Sequence, residues 1–541
     1  MAKRFNTNLA KVGRSAHKRL WIFFVLVLAM SWSVSAGAAT KFISQNGGTF
    51  FGGATCNGQT TVSVAKFNSQ TPSAGDTIYF CGAITSALQV NAGGAPGNVI
   101  SFIADSGASI QLQGTLNTCP IVVNDHSYLL FDGGGAGGTN GILSVLNNGS
   151  GLTTQNMVSA FCLTNSDGNL EIKNWMLGPF YQHTSMSDTT PNADSNTEVF
   201  YSPGLSGDLS IHDNVIHDVG WAIAIMAAIK GNPTISIYNN YIYNMDWGVG
   251  FAPASGGAHT LLIHDNHFGS MKNWDTSTDV FHHDSIHFYE GDGPNSTLTA
   301  IYNNLFDGDQ GKCCTTAFIF HEPGAPGSYI ANEYIYNNVF NQFAGNFFPL
   351  VESVASGPGA VYNNTFQCGG PPTDNIVALT YGYPPGAGAP IFPNFSIENN
   401  VFAGCNTFMY WGSAKLGAGW VVDYNVYLSQ GAGGNNAWWD TNTFSAWKQK
   451  CSCDTHSTYS ATNTLNANGT PQVGSPAITG GRNLAGLGIA PLNSGTTAGN
   501  TVTSQPRPSL GVSPVWPAGA FAFGAIANQP APPAGLTAIV N

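Results

Sequence analysis

The chain has 541 residues, 66 of them glycine and only 9% charged, with 17 Lys and Arg against 29 Asp and Glu. Six of the basic residues fall within the first 19 positions, so the remainder carries eleven basic groups and a formal charge near −18. That balance argues against a nucleic-acid partner, and the length exceeds one ordinary globular core.

Residues 1–38 read as a secretory signal. Lys3, Arg4, Lys11, Arg14, Lys18 and Arg19 precede the apolar run Leu20 to Met30, and Val34-Ser-Ala36 or Ala36-Gly-Ala38 offers a small-residue cleavage site. The run is shorter than the roughly 20 residues of a membrane span, and no later stretch reaches that length. The expected location is secreted, periplasmic or cell-surface, of bacterial type, with no transmembrane segment after cleavage. Ten cysteines, all beyond the signal, fit disulfides in an oxidising compartment. Cys56 with Cys81, Cys119 with Cys162, and Cys368 with Cys405 are plausible bridges within or between neighbouring coils, a pairing that sequence does not establish, while Cys313-Cys314 and Cys451-Ser-Cys453 are too sparse in partners for zinc.

Residues 39–135 read as an N-terminal cap with the first coils, and 136–200 as loop-rich coils. From 201 to 430 an asparagine recurs in the frame apolar-x-x-Asn-x-apolar, at Asn214, Asn240, Asn266, Asn304, Asn338, Asn364, Asn400 and Asn425. The spacings are 26, 26, 38, 34, 26, 36 and 25 residues, the period of one solenoid coil plus loop insertions. Each unit reads as strands of three to five residues separated by bends. Such strands cannot bury a face alone, but stacked coils give each a parallel neighbour about 4.8 Å away around an apolar interior. Asparagine tolerates the left-handed backbone of a sharp bend, and its amide can bond the same amide one coil on. Residues 431–541 close the end, with Trp438, Trp439, Phe444 and Trp447 as a capping segment and a loose tail from Gln529.

The x-Asn-Asn-x coils, the opening Ala74-Gly-Asp-Thr-Ile-Tyr-Phe80, Pro96-Gly-Asn-Val-Ile-Ser-Phe102 and Tyr128-Leu-Leu-Phe-Asp-Gly133, and the closing Ser475-Pro-Ala-Ile478 resemble the pectate-lyase-like superfamily. The resemblance implies an all-β, right-handed parallel β-helix with capping segments at both ends. It also implies an activity on extracellular polysaccharide, with the site on one outer strand face. Polygalacturonase motifs are absent: there is no Gly-His-Gly, no Asp-Asp pair and no Arg-Ile-Lys. The only arginines beyond the signal are Arg482 and Arg507, in the closing segment.

Aligning coils on their asparagines puts Ile225, Phe251, Phe288, Phe320 and Leu350 in one inward column. His287, Tyr289 and His321 then face outward, and Glu290, Glu322 and Glu352 stack beyond them. Carboxylates one and two coils apart would lie about 5 and 10 Å from each other, bracketing the separations used by retaining and inverting glycosidases. Glu290, Glu322, His287, His321 and Lys272 are therefore the catalytic candidates, and Tyr289, His283 and Lys312 the substrate-binding ones. Asp284, Glu290 and Glu322 are candidate ligands for calcium, which favours several oxygen donors. The expected reaction is glycoside hydrolysis or calcium-assisted β-elimination; the alternative is a non-catalytic glycan-binding or adhesin-like solenoid. The column His212, Tyr238, His264, Tyr302, Tyr336, Tyr362 reads as a strand-stabilising ladder. Trp221 and Trp247 read as packing residues, and the repeated His-Asp pairs as products of the coil period.

Overall fold

The computed structural model describes residues 37–115, 117–134, 141–146, 148, 157–164, 167–183, 197–252, 257–275, 281–289, 296–311, 316–322, 329–330, 332–343, 347–352, 355–356, 358–369, 377–381, 391–392, 394–410, 415–416, 419–431, 437–438, 441–496, 505–511 and 513–522. The signal through residue 36, Glu290, Lys312, Cys313, Cys314, Trp439 and the tail from Gln529 lie outside that set.

Short β-rich segments close on themselves and repeat. Among the described residues the strands form a sheet of 15 and a sheet of 22, and within both the coil-to-coil pairings are parallel. This is a parallel β-helix. Its interior is a continuous apolar column. On the first sheet Ile211, Ile237, Ile263, Ile301, Ile335, Val361 and Ile397 follow one another in register. On the second, Phe268, Phe306, Phe340, Phe366, Phe402 and Tyr427 stack face to face at centroid spacings of 4.6 to 5.4 Å.

The asparagine column joins these two stacks at a corner. Each amide bonds in the same way: Asn240 Nδ2 donates to Asn266 Oδ1 at 3.0 Å and to the Ile211 carbonyl at 2.9 Å, while Asn240 N donates to the same Asn266 oxygen. The chain of amides is unbroken from Asn214 to Asn425. The Trp175 N–H starts it and Ser457 with Asp454 ends it. The left-handed backbone at the bend belongs to the preceding residue instead. Asp213, Asn239, Asp265, Asn303, Asn337, Asn363, Asn399 and Tyr424 have φ between 52° and 61°. The bend thus divides the work between two positions, one taking the strained backbone and the next carrying the amide chain.

The three bridges expected from sequence are formed, and Cys451–Cys453 closes a fourth. Four disulfides among the described residues suit an oxidising compartment. No helix among the described residues is long and apolar enough to cross a membrane. At the last coils the helix Phe444–Cys451, capped by Thr443, packs Phe444 on Trp438 and buries Trp447, whose Nε1 donates to Asp454. The closing segment then returns along the first sheet. Arg507 donates to the carbonyls of Pro517 and Gly519, and Asn337 Nδ2 to those of Pro491 and Ser494.

Outside the first sheet, His212, Tyr238, His264, Tyr302 and Tyr336 stack at 4.4 to 5.0 Å with ring planes within 6°. Their faces cover one another, so this is a strand-bracing ladder rather than a platform for sugar rings. The pairs His212–Asp213, His217–Asp218 and His264–Asp265, at 2.6 to 2.8 Å, recur with the coil. Asn304→Ala removes a buried amide that both gives and accepts, and is expected to cost about 3 kcal/mol in urea unfolding. His264→Ala, in the outer ladder, should cost no more than about 1 kcal/mol by the same measurement.

Candidate active site

The strand register decides which side chains meet. Ile223, Val249, Ile286 and Ile319 form one inward column. Ile225, Phe251, Phe288 and His321 form the next. The inward column expected from sequence therefore departs from the register at Phe320, where His321 stands instead. In Thr316–Glu322 the run Phe318-Ile-Phe320 is buried throughout, so alternation cannot choose its register.

That one-residue slip moves three candidates. His321 points inward: its ring stacks on Phe288 at 4.4 Å and its Nε2 lies 3.0 Å from the buried Glu333 carboxylate. Glu322 pairs with Tyr289, and Glu352 with His321, so these glutamates do not share a column. Lys272 is exposed in the turn Lys272–Trp274 and ion-paired with Asp309 at 2.5 Å. The hydrogen bond and charge of Asp309 raise its pKa, the reverse of what a lysine base needs.

His283, Asp284, His287 and Tyr289 do come together with partners that sequence reasoning left as packing. Where the chain turns into the second sheet, the outward positions fall three residues apart, as in Trp247 with Gly250 and Asp284 with His287. His287 Nδ1 and Asp284 Oδ2 are 2.7 Å apart, and Asp284 Oδ1 accepts the Ala317 N–H at 3.0 Å. Both side chains are at most 1% exposed. The His287 ring lies on Trp247 at 3.9 Å, and Trp247 on Trp221 at 4.6 Å. Gly250 makes room: a Cβ there would sit 3.1 Å from the Trp247 ring. Beyond Trp221 in the same column stands Glu198, which accepts from Ser159 Oγ. One residue before Trp247, Asp246 is fully buried and adjoins the His283 position.

The stacked rings cover each other's faces and leave edges. Among the described residues neither indole N–H, of Trp221 or of Trp247, has a hydrogen-bond partner, although both atoms are buried. Tyr289, 38% exposed, and the half-buried His282 flank them. One wall is built by two loops that meet across several coils. His183 Nδ1 lies 2.6 Å from the Asn273 carbonyl, and Tyr181, Trp274 and Phe281 pack around it. Asp284 gives both oxygens to protein donors, and among the described residues no three His, Cys, Asp or Glu are grouped to hold a metal. The signal that could have found the site was the matched Trp221–Trp247 pair followed one coil on by Asp284 and His287.

No protein-family model matches this chain, and no curated protein does. Among solved structures it is similar to the GH136 lacto-N-biosidase from Eubacterium ramulus. The native form shows 12% identity and a TM-score of 0.33, over 76% of this chain and 70% of that one. Its selenomethionine derivative shows 12% identity and a TM-score of 0.30, with 76% of this chain and 63% of that one covered.

Burial holds the His283 imidazole below its ordinary pKa, against the raising influence of the Trp274 backbone, Asp275 and Asp284. The unfolded chain takes up this proton first, so His283's contribution to stability is complete above about pH 6.5 and declines as pH falls below it. His283→Gln should shrink the loss of unfolding free energy between pH 7 and pH 5 relative to the parent, measured by urea titration at both.

Proposed function

We propose that the protein is an extracellular carbohydrate-active enzyme that hydrolyses a neutral polysaccharide across the face bearing Trp221, Trp247, Asp284 and His287. The observation that carries this reading is the buried Asp284–His287 pair stacked on two tryptophans whose N–H groups have no partner. Buried ionisable pairs beside idle donors are costly to a fold and mark functional sites.

The residues divide the reaction as follows. Asp284, accepting from His287 Nδ1, holds the imidazole in the tautomer whose Nε2 is the base. That base takes a proton from water as the water attacks the anomeric carbon. Asp246, one strand earlier and one residue offset, protonates the leaving oxygen. The α-carbons of Asp246 and Asp284 are about 6 Å apart by strand geometry, which sets the acid beside the pair that supplies the base. The indole N–H groups donate to sugar hydroxyls. Strands Thr197–Leu205, Val215–Ile229, Tyr241–Phe251 and His283–Tyr289 contain no lysine or arginine. A uronate would find no cation on these strands, so a neutral chain is favoured over β-elimination. Glu290 and Glu322 remain candidates for contact with the substrate.

The mature protein, incubated with neutral and uronate polysaccharides, should release reducing ends from a neutral one without the ultraviolet absorbance of unsaturated products. Asp246→Asn, Asp284→Asn and His287→Gln should each lower turnover by about a hundredfold or more, with circular dichroism unchanged. Parent-like turnover in folded Asp284→Asn, or silence of the parent on every polysaccharide, would sink the proposal; the latter would favour a glycan-binding solenoid.

A further inference from the structure

The returning closing segment leaves a cavity of about 520 Å³ between itself and the outer face of the first sheet. It spans strands Ser296–Tyr302, Glu333–Tyr336, Gly359–Tyr362 and Phe395–Glu398, four neighbours in the stack and so about 14 Å of helix axis. The roof is Leu487 to Pro491.

Tyr334 stands in the middle of it. In the adjacent column every position from His212 to Tyr336 carries a ring, and each ring is covered by the next. In the Tyr334 column the neighbours are Ala300 on one strand and Ala360 on the other, followed by Ser396. No ring among the described residues stacks on Tyr334, which is half-buried and lines the cavity. The fold therefore repeats the ladder spacing here but omits the rings on either side.

We propose that this gap is a binding site for a short neutral oligosaccharide, separate from the Asp284 face, with a pyranose ring laid on Tyr334. The negative face of the phenol ring meets the C–H groups of a pyranose. The remaining lining supplies hydroxyl and amide groups, from Tyr336, Ser396 and Asn394, and aliphatic surface from Leu298 and Ile489. Among the described residues no Lys, Arg, Asp, Glu or His lines the cavity, so none of them would balance the charge of a uronate or a phosphate. The length suits several sugar units. This site rests on the Tyr334 gap alone and stands whether or not the opposite face hydrolyses a glycan.

The test is isothermal titration of the full mature protein with cellohexaose, mannohexaose, xylohexaose and laminarihexaose, alongside trigalacturonate and 4-nitrophenol. At least one neutral hexaose should bind saturably, and Tyr334→Ala should weaken it about tenfold or more. Ala300→Phe, which supplies the missing ring, should do the same with an unchanged melting temperature. Asp284→Asn should bind like the parent, and Tyr334→Ala should keep parent turnover on a short soluble substrate if the hydrolysis proposal holds. The assignment is overturned if no neutral hexaose binds, if folded Tyr334→Ala and Ala300→Phe both bind like the parent, if only trigalacturonate or 4-nitrophenol binds, or if Asp284→Asn alone abolishes binding.

Discussion

Every coil of this helix is held in phase by one hydrogen-bonded chain, the asparagine amides from Asn214 to Asn425. A parallel sheet built largely from short strands has little to stop one strand sliding along the next. The buried amide removes that freedom, because a slip of one residue leaves a donor and an acceptor unmet in an apolar interior, a penalty of about 1–3 kcal/mol for each. The apolar stacks on either side of the corner, the isoleucines of one sheet and the phenylalanines of the other, then fall into register without further instruction.

The phase set at that corner is carried outward only as far as the loops permit. On the first sheet the outer column follows the amides closely in sequence, so aromatic rings repeat coil after coil and brace each other. On the second sheet the strands of the candidate site begin after turns and insertions of unequal length. There the columns break: tryptophan, tryptophan, then a buried carboxylate with its histidine. The site exists because the repeat changes its chemistry from one coil to the next while its backbone does not. The same logic operates at Tyr334, where a ring stands between two alanines in a scaffold that elsewhere fills such positions.

Electrostatics reinforce this division. Asp284, His287, His283, Asp246, His321 and Glu333 are all buried in a chain that carries few charges. His321 and Glu333 meet inside the coil as a pair linking the two sheets. The others gather around the two tryptophans, with the loops bearing His183 and Trp274 against His283. Burial of this kind strengthens each hydrogen bond and makes each unpaired group expensive.

Sequence alone determined the parallel coil, its period and the corner asparagines, because these depend on spacing and on residue types with few other uses; it offered three disulfide pairings that only the structure fixed. It also marked the segment holding His283, Asp284, His287 and Tyr289. It did not determine the column of Phe320 and His321, since a strand apolar at consecutive positions has no alternation to read. Nor did it reveal Trp221, Trp247 and Asp246 as neighbours of the Asp284–His287 pair, or Tyr334 as a ring without companions. Those relations join residues separated by whole coils and depend on loop lengths and on the fold-back of the closing segment. Only the three-dimensional stacking of coils decides them, because the interactions that select the register act between strands and not along the chain.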